Sequence, residues 1–289
     1  MEELEEGKAR LQFLGTGTSQ GVPIIGCDCE VCKSSDPHDK RLRASVLVDW
    51  CGMKILVDAG PDFRYQMLRA GVKHLDGILL THNHKDHTGG LDDVRAFNYL
   101  EKQAAEIYCE EYVEESLKKE YSYAFAENKY PGAPEWHIHH IQNEPFKVQV
   151  FNKAERLVWV NNKGYEHKLT GEDARPIKEA EIIPIRGLHY KLPVLGFRFG
   201  NIAYCTDMNH IADEEFEKLH NLDHFVINCV RLGRHISHFS LEQAIEVAQR
   251  VGAKHSWLTH LSHQLPCHEE LSKMLPEGIL PAYDGLVIE

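Results

Sequence analysis

Short apolar runs, several of them followed directly by polar residues, set the pattern of the first third of the chain. Alternating or fully apolar runs predict strands at residues 10–14, 44–49, 54–58 and 77–81. Apolar residues at helical spacing predict helices at 63–70 and 91–103. Strands and helices therefore mix from the beginning of the chain, which is typical of the α/β class.

The second half of the chain repeats this pattern and contains the clearest helix. Strand-like runs occupy residues 181–185, 194–199, 202–205, 224–229 and 254–259. The helix covers residues 241–251, with Ser240 and Gln243 as a candidate capping box and Gly252 as the stop. Two β-rich halves, each followed by helices, predict two sheets covered by helices, an α/β (αββα) sandwich in one domain.

The stretch between the two halves carries weaker signals. We expect a helix at 110–123, a break at 130–134, strands at 146–151 and 157–160, and a polar stretch from 161 to 175. We interpret residues 107–175 as an elaboration of the domain. It would shape a substrate rim, form a subunit contact or only extend the surface.

Composition narrows the classes of function. The chain has 289 residues, 43% of them hydrophobic, which is enough for a sizeable core. A formal net charge of -12 and the lack of a basic run work against nucleic-acid binding. The acidic amino terminus and the lack of a long apolar stretch predict a cytoplasmic protein with no membrane span. The oligomeric state stays open, a homodimer included.

A dense group of ligand-type side chains follows the apolar run at residues 77–80. His82, His84, Asp86 and His87 fall within six positions, and imidazole and carboxylate groups suit Zn, Mn or Fe. On a continuing strand, His87 would lie on the opposite face from the other three. A turn is therefore needed, and two metal ions become plausible. The alternative interpretation is a solvated histidine-rich loop.

Further candidate ligands come at the ends of later strand-like runs. His189, Asp207 and His260 each follow such a run. Loops at one edge of a sheet bring distant side chains together, so these three complement the first group. Taken singly, His189 or His260 would more often be an ordinary packed or exposed histidine.

Eight cysteines are present, and three of them are closely spaced. Cys27, Cys29 and Cys32 are too close in sequence to bridge one another and well suited to a metal. The remaining five are expected to be buried free thiols, namely Cys51, Cys109, Cys205, Cys229 and Cys267. The glycine-rich residues 15–21 do not form a dinucleotide loop, because the third glycine comes one position late and the cysteines follow where a helix should begin.

The order of these elements resembles the metallo-β-lactamase superfamily. That pattern has an aspartate after an early strand, here Asp58, then the H-x-H-x-D-H cluster, a later His, a later Asp and a final His. The resemblance covers nearly the whole chain and implies a single domain of this fold over residues 1–289. It also implies that His82, His84 and His189 hold one metal ion, that Asp86, His87 and His260 hold a second, that Asp207 bridges the two, and that Asp58 orients ligands.

A finer resemblance is to PhnP-like phosphodiesterases within the superfamily. It rests on three segments, Phe-Leu-Gly-Thr-Gly-Thr-Ser-Gln-Gly-Val-Pro at 13–23, Gly-Cys-Asp-Cys-Glu-Val-Cys at 26–32, and Leu-Thr-His-Leu-Ser-His-Gln at 258–264. The resemblance implies a structural zinc held by Cys27, Cys29, Cys32 and His263, a set that closes all four tetrahedral positions. His38, Cys267 and His268 remain alternatives for the fourth ligand.

The same resemblance implies the chemistry. His238 matches a histidine that faces the substrate, so we expect it to protonate the leaving group, with Asp86 beside it as a catalytic metal ligand. His235 is the competing proton donor, and His238 could also be a helix-start residue without a chemical role. The predicted function is a dinuclear Zn- or Mn-dependent phosphodiesterase for a small, cyclic or linear, phosphodiester. The rivals are a thioesterase, an RNA-processing nuclease and a non-catalytic relative similar to pyrroloquinoline-quinone biosynthesis protein B.

Overall fold

The computed structural model describes residues 7–151, 157–160, 164–167 and 176–289. Most of the predicted polar stretch at 161–175 therefore lies outside the described residues. Within the described chain, the strands form two large sheets and one separate hairpin of β8 (Leu157–Val160) and β9 (Gly164–His167). Helices occur between these strands along the chain, so the chain is of the α/β class.

The first sheet contains seven strands and is built mainly from the first half of the chain. Its order is β17-β1-β2-β3-β4-β5-β6. The bounds are β1 (Arg10–Gly15), β2 (Ser45–Trp50), β3 (Met53–Val57), β4 (Gly77–Leu79), β5 (Ala105–Cys109), β6 (Trp136–His140) and β17 (Val287–Ile288). The strands from β3 to β6 run parallel, so their carboxyl ends meet at one edge.

The second sheet is built from the second half and pairs the long strand β10 with β7, β11 and β13. Its main order is β13-β10-β11-β12-β14-β15-β16. The bounds are β7 (Phe146–Val150), β10 (Lys178–His189), β11 (Leu192–Phe199), β12 (Ile202–Cys205), β13 (His210–Ile211), β14 (His224–Asn228), β15 (His255–Thr259) and β16 (Ile279–Pro281). Strands β12, β14, β15 and β16 run parallel, which again brings their carboxyl ends to one edge.

Helices connect the strands. They are α1 (Glu30–Lys33), α2 (Phe63–Ala70), α3 (Lys85–Thr88), α4 (Arg95–Glu101), α5 (Glu111–Glu120), α6 (Leu241–Val251) and α7 (His268–Met274). The capping box at Ser240 and Gln243 and the left-handed stop at Gly252 are confirmed. In the described part of the chain we find no helix with the length and apolar character of a membrane span.

Three apolar layers account for the sandwich. One core lies between the two sheets and includes Phe13, Phe197 and Tyr204, each fully buried. A second core packs α6 against the second sheet, and a third packs α2 and α5 against the first. Burying each large apolar side chain contributes about 1.5–3 kcal/mol, so the sheets and helices stabilise one another through these layers. The predicted two-sheet sandwich is confirmed.

The differences from the predicted elements have local causes. The predicted helix at 91–103 begins as a 3₁₀ turn, Leu91–Val94, before α4, and the helix predicted at 110–123 ends in the 3₁₀ turn Ser122–Ala124. Such turns are common at helix ends because they tighten the terminal hydrogen bonds. The predicted burial of the five remaining cysteines is confirmed for Cys109, Cys205 and Cys229. It is wrong at Cys51, which is exposed in the turn between β2 and β3, and at Cys267, which is only half-buried.

Candidate metal centre

The metal-type side chains predicted from the sequence converge at the carboxyl edges of the two sheets. The structure places them in two groups, and within each group the ligand atoms all lie within 4.8 Å of one another. The first group is His82, His84 and His189, and the second is Asp86, His87, Asp207 and His260. This is the division that the family resemblance implies.

The required turn follows β4. His82 comes three residues after the strand ends, and His84 is the residue before the short helix α3, which carries Asp86 and His87. The ring of His82 lies 4.6 Å from that of His84 and 4.3 Å from that of His87, measured between centroids. A strand that turns into one helical turn thus brings side chains from both faces to one point.

Asp58 holds two of these histidines in a fixed orientation. Its Oδ2 accepts a hydrogen bond of 2.6 Å from His87 Nδ1 and one of 2.9 Å from Thr81 Oγ1. Thr81 Oγ1 in turn lies 2.9 Å from His82 Nδ1. With Nδ1 engaged in each ring, Nε2 of His82 and of His87 is left to face the site, as metal-bound histidines require. Sequence reasoning missed Thr81, whose hydroxyl links the two.

A backbone carbonyl orients the third histidine in the same way. His189 Nδ1 donates to the carbonyl oxygen of Ser237 at 2.9 Å, which leaves Nε2 free for the first ligand group. The contact also ties the end of β10 to the loop that carries His238. Motif matching does not find Ser237, because only its backbone is used.

Asp207 lies between the two ligand groups. Its Oδ2 is 3.3 Å from His87 Nε2 and 3.9 Å from His82 Nε2, and it lies 3.2 Å from His260 Nε2. One carboxylate therefore reaches nitrogen atoms from both groups.

Three of these residues adopt a backbone conformation that side chains other than glycine seldom accept. Asp58, Asp207 and His260 have φ of 63°, 58° and 55°. Each follows the end of a strand, and the left-handed turn swings the side chain out of the strand direction toward the site. Such positions cost about 1–3 kcal/mol each and cluster at functional sites.

The electrostatics of the site suit cations. Burial holds the pKa of His82 well below its ordinary value, so this imidazole is neutral, as a metal ligand must be. Burial also opposes the ionisation of Asp86 and Asp207, but the adjacent imidazoles lower the pKa of each below its usual range. Two carboxylates thus stay charged in a buried site.

Two ligand nitrogens of the site lack the hydrogen-bond partner that buried polar atoms normally have. His82 Nε2 and His87 Nε2 are buried without a hydrogen-bond partner among the described residues. Buried polar atoms are nearly always paired, and a metal ion supplies the missing partner here. Asp86 Oδ2 lies 3.2 Å from His87 Nε2, so it would bind the same ion.

The second predicted site is formed by the cysteines. Sγ of Cys27, Cys29 and Cys32 lies 3.2, 3.4 and 3.7 Å from Nδ1 of His263. A hydrogen bond from the Cys32 backbone lowers the pKa of Cys29 to about 6, whereas burial raises that of Cys32 to about 11. The latter thiol therefore needs a metal ion to ionise at neutral pH.

Among the alternatives for the fourth ligand, Cys267 packs against this cluster without joining the four-atom group. His38 and His268 are outside this four-atom group, and their rings lie tilted against each other with centroids 4.7 Å apart. The Cys₃His group links the loop before α1 to the loop after β15, and His260 lies three residues before His263 on that loop.

His238 lies beside both groups. Its ring is 4.6 Å from that of His189 and 4.7 Å from that of His260, and its Nδ1 is buried without a partner among the described residues. Burial lowers the pKa of His238 to about 3. His235 lies next to His238, with their ring centroids 5.1 Å apart. Its Nδ1 accepts a hydrogen bond from the backbone N–H of Ser237.

Comparison with known proteins agrees with this geometry. The sequence profile of the beta-lactamase superfamily domain matches residues 53–261. The chain belongs to the metallo-β-lactamase superfamily. Members of this superfamily are generally hydrolases, and the match spans the two ligand groups described above.

Individual relatives differ in their names. A structure described as a new diphosphatase from the PhnP family is 37% identical, with a TM-score of 0.80 over 97% of this chain and 96% of that one. A protein of Porphyromonas gingivalis named octanoyltransferase is 39% identical over 96% of this chain, but this chain spans only 51% of its length. A ribonuclease Z of Pyrobaculum neutrophilum is 38% identical over 28% of this chain and 24% of its own length. The chain thus spans about half the length, or less, of these two curated relatives.

Proposed function

We propose that this superfamily hydrolase is a dinuclear phosphodiesterase that cleaves a small phosphodiester. The observation that carries the proposal is the position of the Asp207 carboxylate, within 3.9 Å of imidazole nitrogens from both ligand groups. A binding protein has no need of two complete ligand groups joined in this way. The resemblance to PhnP-like enzymes in the glycine-rich, cysteine and final histidine segments supports the choice of a phosphate ester.

The metal ions and the chain have separate tasks in this proposal. When bound, the divalent ions supply Lewis acidity and activate a water molecule at neutral pH. His82, His84 and His189 would hold one ion, Asp86, His87 and His260 the other, and Asp207 both. Zn and Mn both suit these nitrogen and oxygen ligands.

The remaining step is the departure of the alkoxide, for which a proton donor is needed. His238 is placed for this task, because its ring touches the rings of one histidine from each ligand group. Burial keeps the free imidazole neutral, so the negative charge of a bound phosphodiester would have to favour its protonated form. The imidazolium N–H would then transfer its proton to the leaving oxygen as the P–O bond breaks. His235, whose ring lies 5.1 Å from that of His238, is the competing proton donor.

Charge limits the size of the substrate. The formal charge of -12 repels a long phosphate polymer, whereas bound cations attract a single phosphate group locally. A small cyclic or linear phosphodiester fits both conditions. The partial ribonuclease Z match does not change this choice, because it covers only 28% of the chain.

A second candidate substrate is a diphosphate. A relative that is 37% identical over 97% of this chain is described as a diphosphatase, and a phosphoanhydride places the same demands on two metal ions. The phosphate that leaves when a phosphoanhydride is cleaved is less basic than an alkoxide and needs proton donation less. Dependence on His238 would therefore separate the two candidates.

A thioester is the third class to test, because one relative of about twice the length is named octanoyltransferase. The test compares a cyclic nucleotide, bis(p-nitrophenyl) phosphate, a dinucleoside diphosphate and an octanoyl thioester, with Zn or Mn added. We expect cleavage of a phosphodiester and its loss in Asp207→Asn. Asp49→Asn, on β2 and paired with Lys54, is the matched control. Thioester hydrolysis without phosphodiester cleavage under either metal would contradict the proposal.

A further inference from the structure

Among the described residues, one group of side chains outside the two sites above also has the composition of a metal site. Glu106, His137 and His139 offer three ligand atoms that lie within 4.8 Å of one another. The distance from Glu106 Oε2 is 3.0 Å to His137 Nδ1 and 2.6 Å to His139 Nε2. Both imidazoles thus converge on one carboxylate oxygen.

The sheet itself brings the three residues together. His137 and His139 are two positions apart on β6 and so project from the same face of the edge strand. In the parallel pairing of β5 and β6, Glu106 is directly opposite His137. The ring of His139 is stacked on Tyr108 at 4.5 Å, which directs its Nε2 back toward the carboxylate.

The carboxylate lies on the apolar side of its strand. Tyr108, two residues farther along β5, belongs to the core between the sheets, and Glu106 faces the same way. Only 7% of Glu106 is exposed, whereas the side chains of His137 and His139 are 41% and 33% exposed. A negative charge so buried is costly unless cations or hydrogen bonds compensate it.

This group is separate from the metal centre. Glu106 and His137 are each the second residue of their strands, at the amino edge of the parallel part of the first sheet. His82 and Asp58 come after the carboxyl ends of β4 and β3. Glu106 and His137 therefore lie toward the edge of the sheet opposite the metal centre, and His139, two residues farther along β6, lies between them and the carboxyl edge.

We propose that Glu106, His137 and His139 form a further metal site. It would bind a divalent transition metal ion such as Zn²⁺, which would hold the edge strand β6 to β5. One carboxylate and two imidazoles leave a fourth coordination position open to solvent, the arrangement of an exchangeable site. The ion replaces the protons that the imidazoles share with the carboxylate. A tetrahedral ion with bonds of about 2.0–2.1 Å separates its ligand atoms by about 3.3 Å, so His139 needs to withdraw by less than about 1 Å.

The test counts metal ions in the intact protein. Equilibrium dialysis against buffered free Zn²⁺, followed by elemental analysis, compares the wild type with His137→Ala/His139→Ala. We expect the double variant to bind one zinc fewer per chain. The matched control is His140→Ala, which removes the next histidine of the strand, one paired with Glu114, and should keep the wild-type count.

A second measurement follows the consequence for the strand. Zn²⁺ added to protein whose other sites are already filled should raise the melting temperature of the wild type and of His140→Ala, but not of Glu106→Gln. The Gln variant keeps the shape of the side chain, so it covers the case in which the double variant fails to fold. Equal zinc counts in all variants, or equal melting shifts, would overturn the proposal and leave a hydrogen-bonded cluster only. Neither readout depends on phosphodiesterase activity.

Discussion

His87 donates its Nδ1 hydrogen to Asp58 Oδ2 across 2.6 Å, and both side chains are fully buried. The contact fixes which ring nitrogen of His87 faces Asp86 and Asp207. Because Asp58 also accepts from Thr81, whose hydroxyl contacts His82, one carboxylate orients a ligand in each metal group. Asp58 is thus a positioning residue for both ions.

Asp58→Asn should therefore weaken metal binding rather than abolish the fold of the site. Loss of such an orienting carboxylate lowers metal affinity by about 10–100-fold. Competition with a chelator of known affinity measures the loss at the exchangeable sites, while the Cys₃His zinc should be retained. Asp49→Asn, a half-buried carboxylate on the same sheet, should leave metal affinity unchanged. Equal affinities for Asp58→Asn and the wild type would show that the Asp58 carboxylate does not orient the ligands.

For the cysteine site we predict an effect on thermal stability and not on the affinity of the active site for metal. Cys29→Ser should lower thermal stability and leave a protein whose active-site metal content is kept under saturating conditions, since Cys29 belongs only to the Cys₃His group. Structural zinc contributes directly to folding, so the melting temperature should fall markedly.

Cys51→Ser provides the comparison for that experiment, because Cys51 is exposed and outside every metal-type group among the described residues. Its melting temperature should match the wild type. If Cys29→Ser has the same melting temperature and the same zinc content as Cys51→Ser, the cysteines hold no metal.

The proposed role of His238 depends on the leaving group. If it protonates an alkoxide, His238→Ala should keep its metal content and lose about 10²–10⁴-fold in rate on esters with poor leaving groups. The loss should be far smaller on p-nitrophenyl esters, which depart without a proton. His235→Ala, a neighbouring histidine 5.1 Å away, should show no such dependence. Equal losses on both kinds of ester would indicate that His238 positions the phosphate instead.

The sequence predicts most of the metal centre because its ligands are encoded locally. His82, His84, Asp86 and His87 are neighbours in the chain, and their spacing after an apolar run is visible without a structure. The positions of Asp207 and His260 could be predicted only as strand ends. Their left-handed φ angles could not, because the tertiary contacts that hold a strained backbone are absent from a linear pattern.

The edge strand β6 shows the other limit. Trp136 and Ile138 pack on the helix side of the sheet and alternate with His137 and His139, yet the strand has only five residues and follows a Pro- and Gly-containing turn. So short an alternation is weak evidence on its own. Its partner Glu106 is about thirty residues away, and only the register of β5 with β6 reveals the contact.

The last prediction concerns stability against pH. His74 Nε2 lies 2.8 Å from an Asp76 carboxylate oxygen, and His74 Nδ1 lies 2.7 Å from one of Glu101. Both ring nitrogens must be protonated to donate these two hydrogen bonds. The hydrogen bond to Asp76 and the one to Glu101 raise the pKa of His74 to about 9. In the unfolded chain the value is about 6.5, so the stabilisation is complete below about pH 6.5 and is lost as the pH rises toward 9. Because the side chain is 34% exposed, we expect about 1 kcal/mol after solvent screening. Urea unfolding at several pH values should show this decline in the wild type and in His220→Gln, an exposed control, but not in His74→Gln; the same slope in all three would assign the pH dependence to other groups.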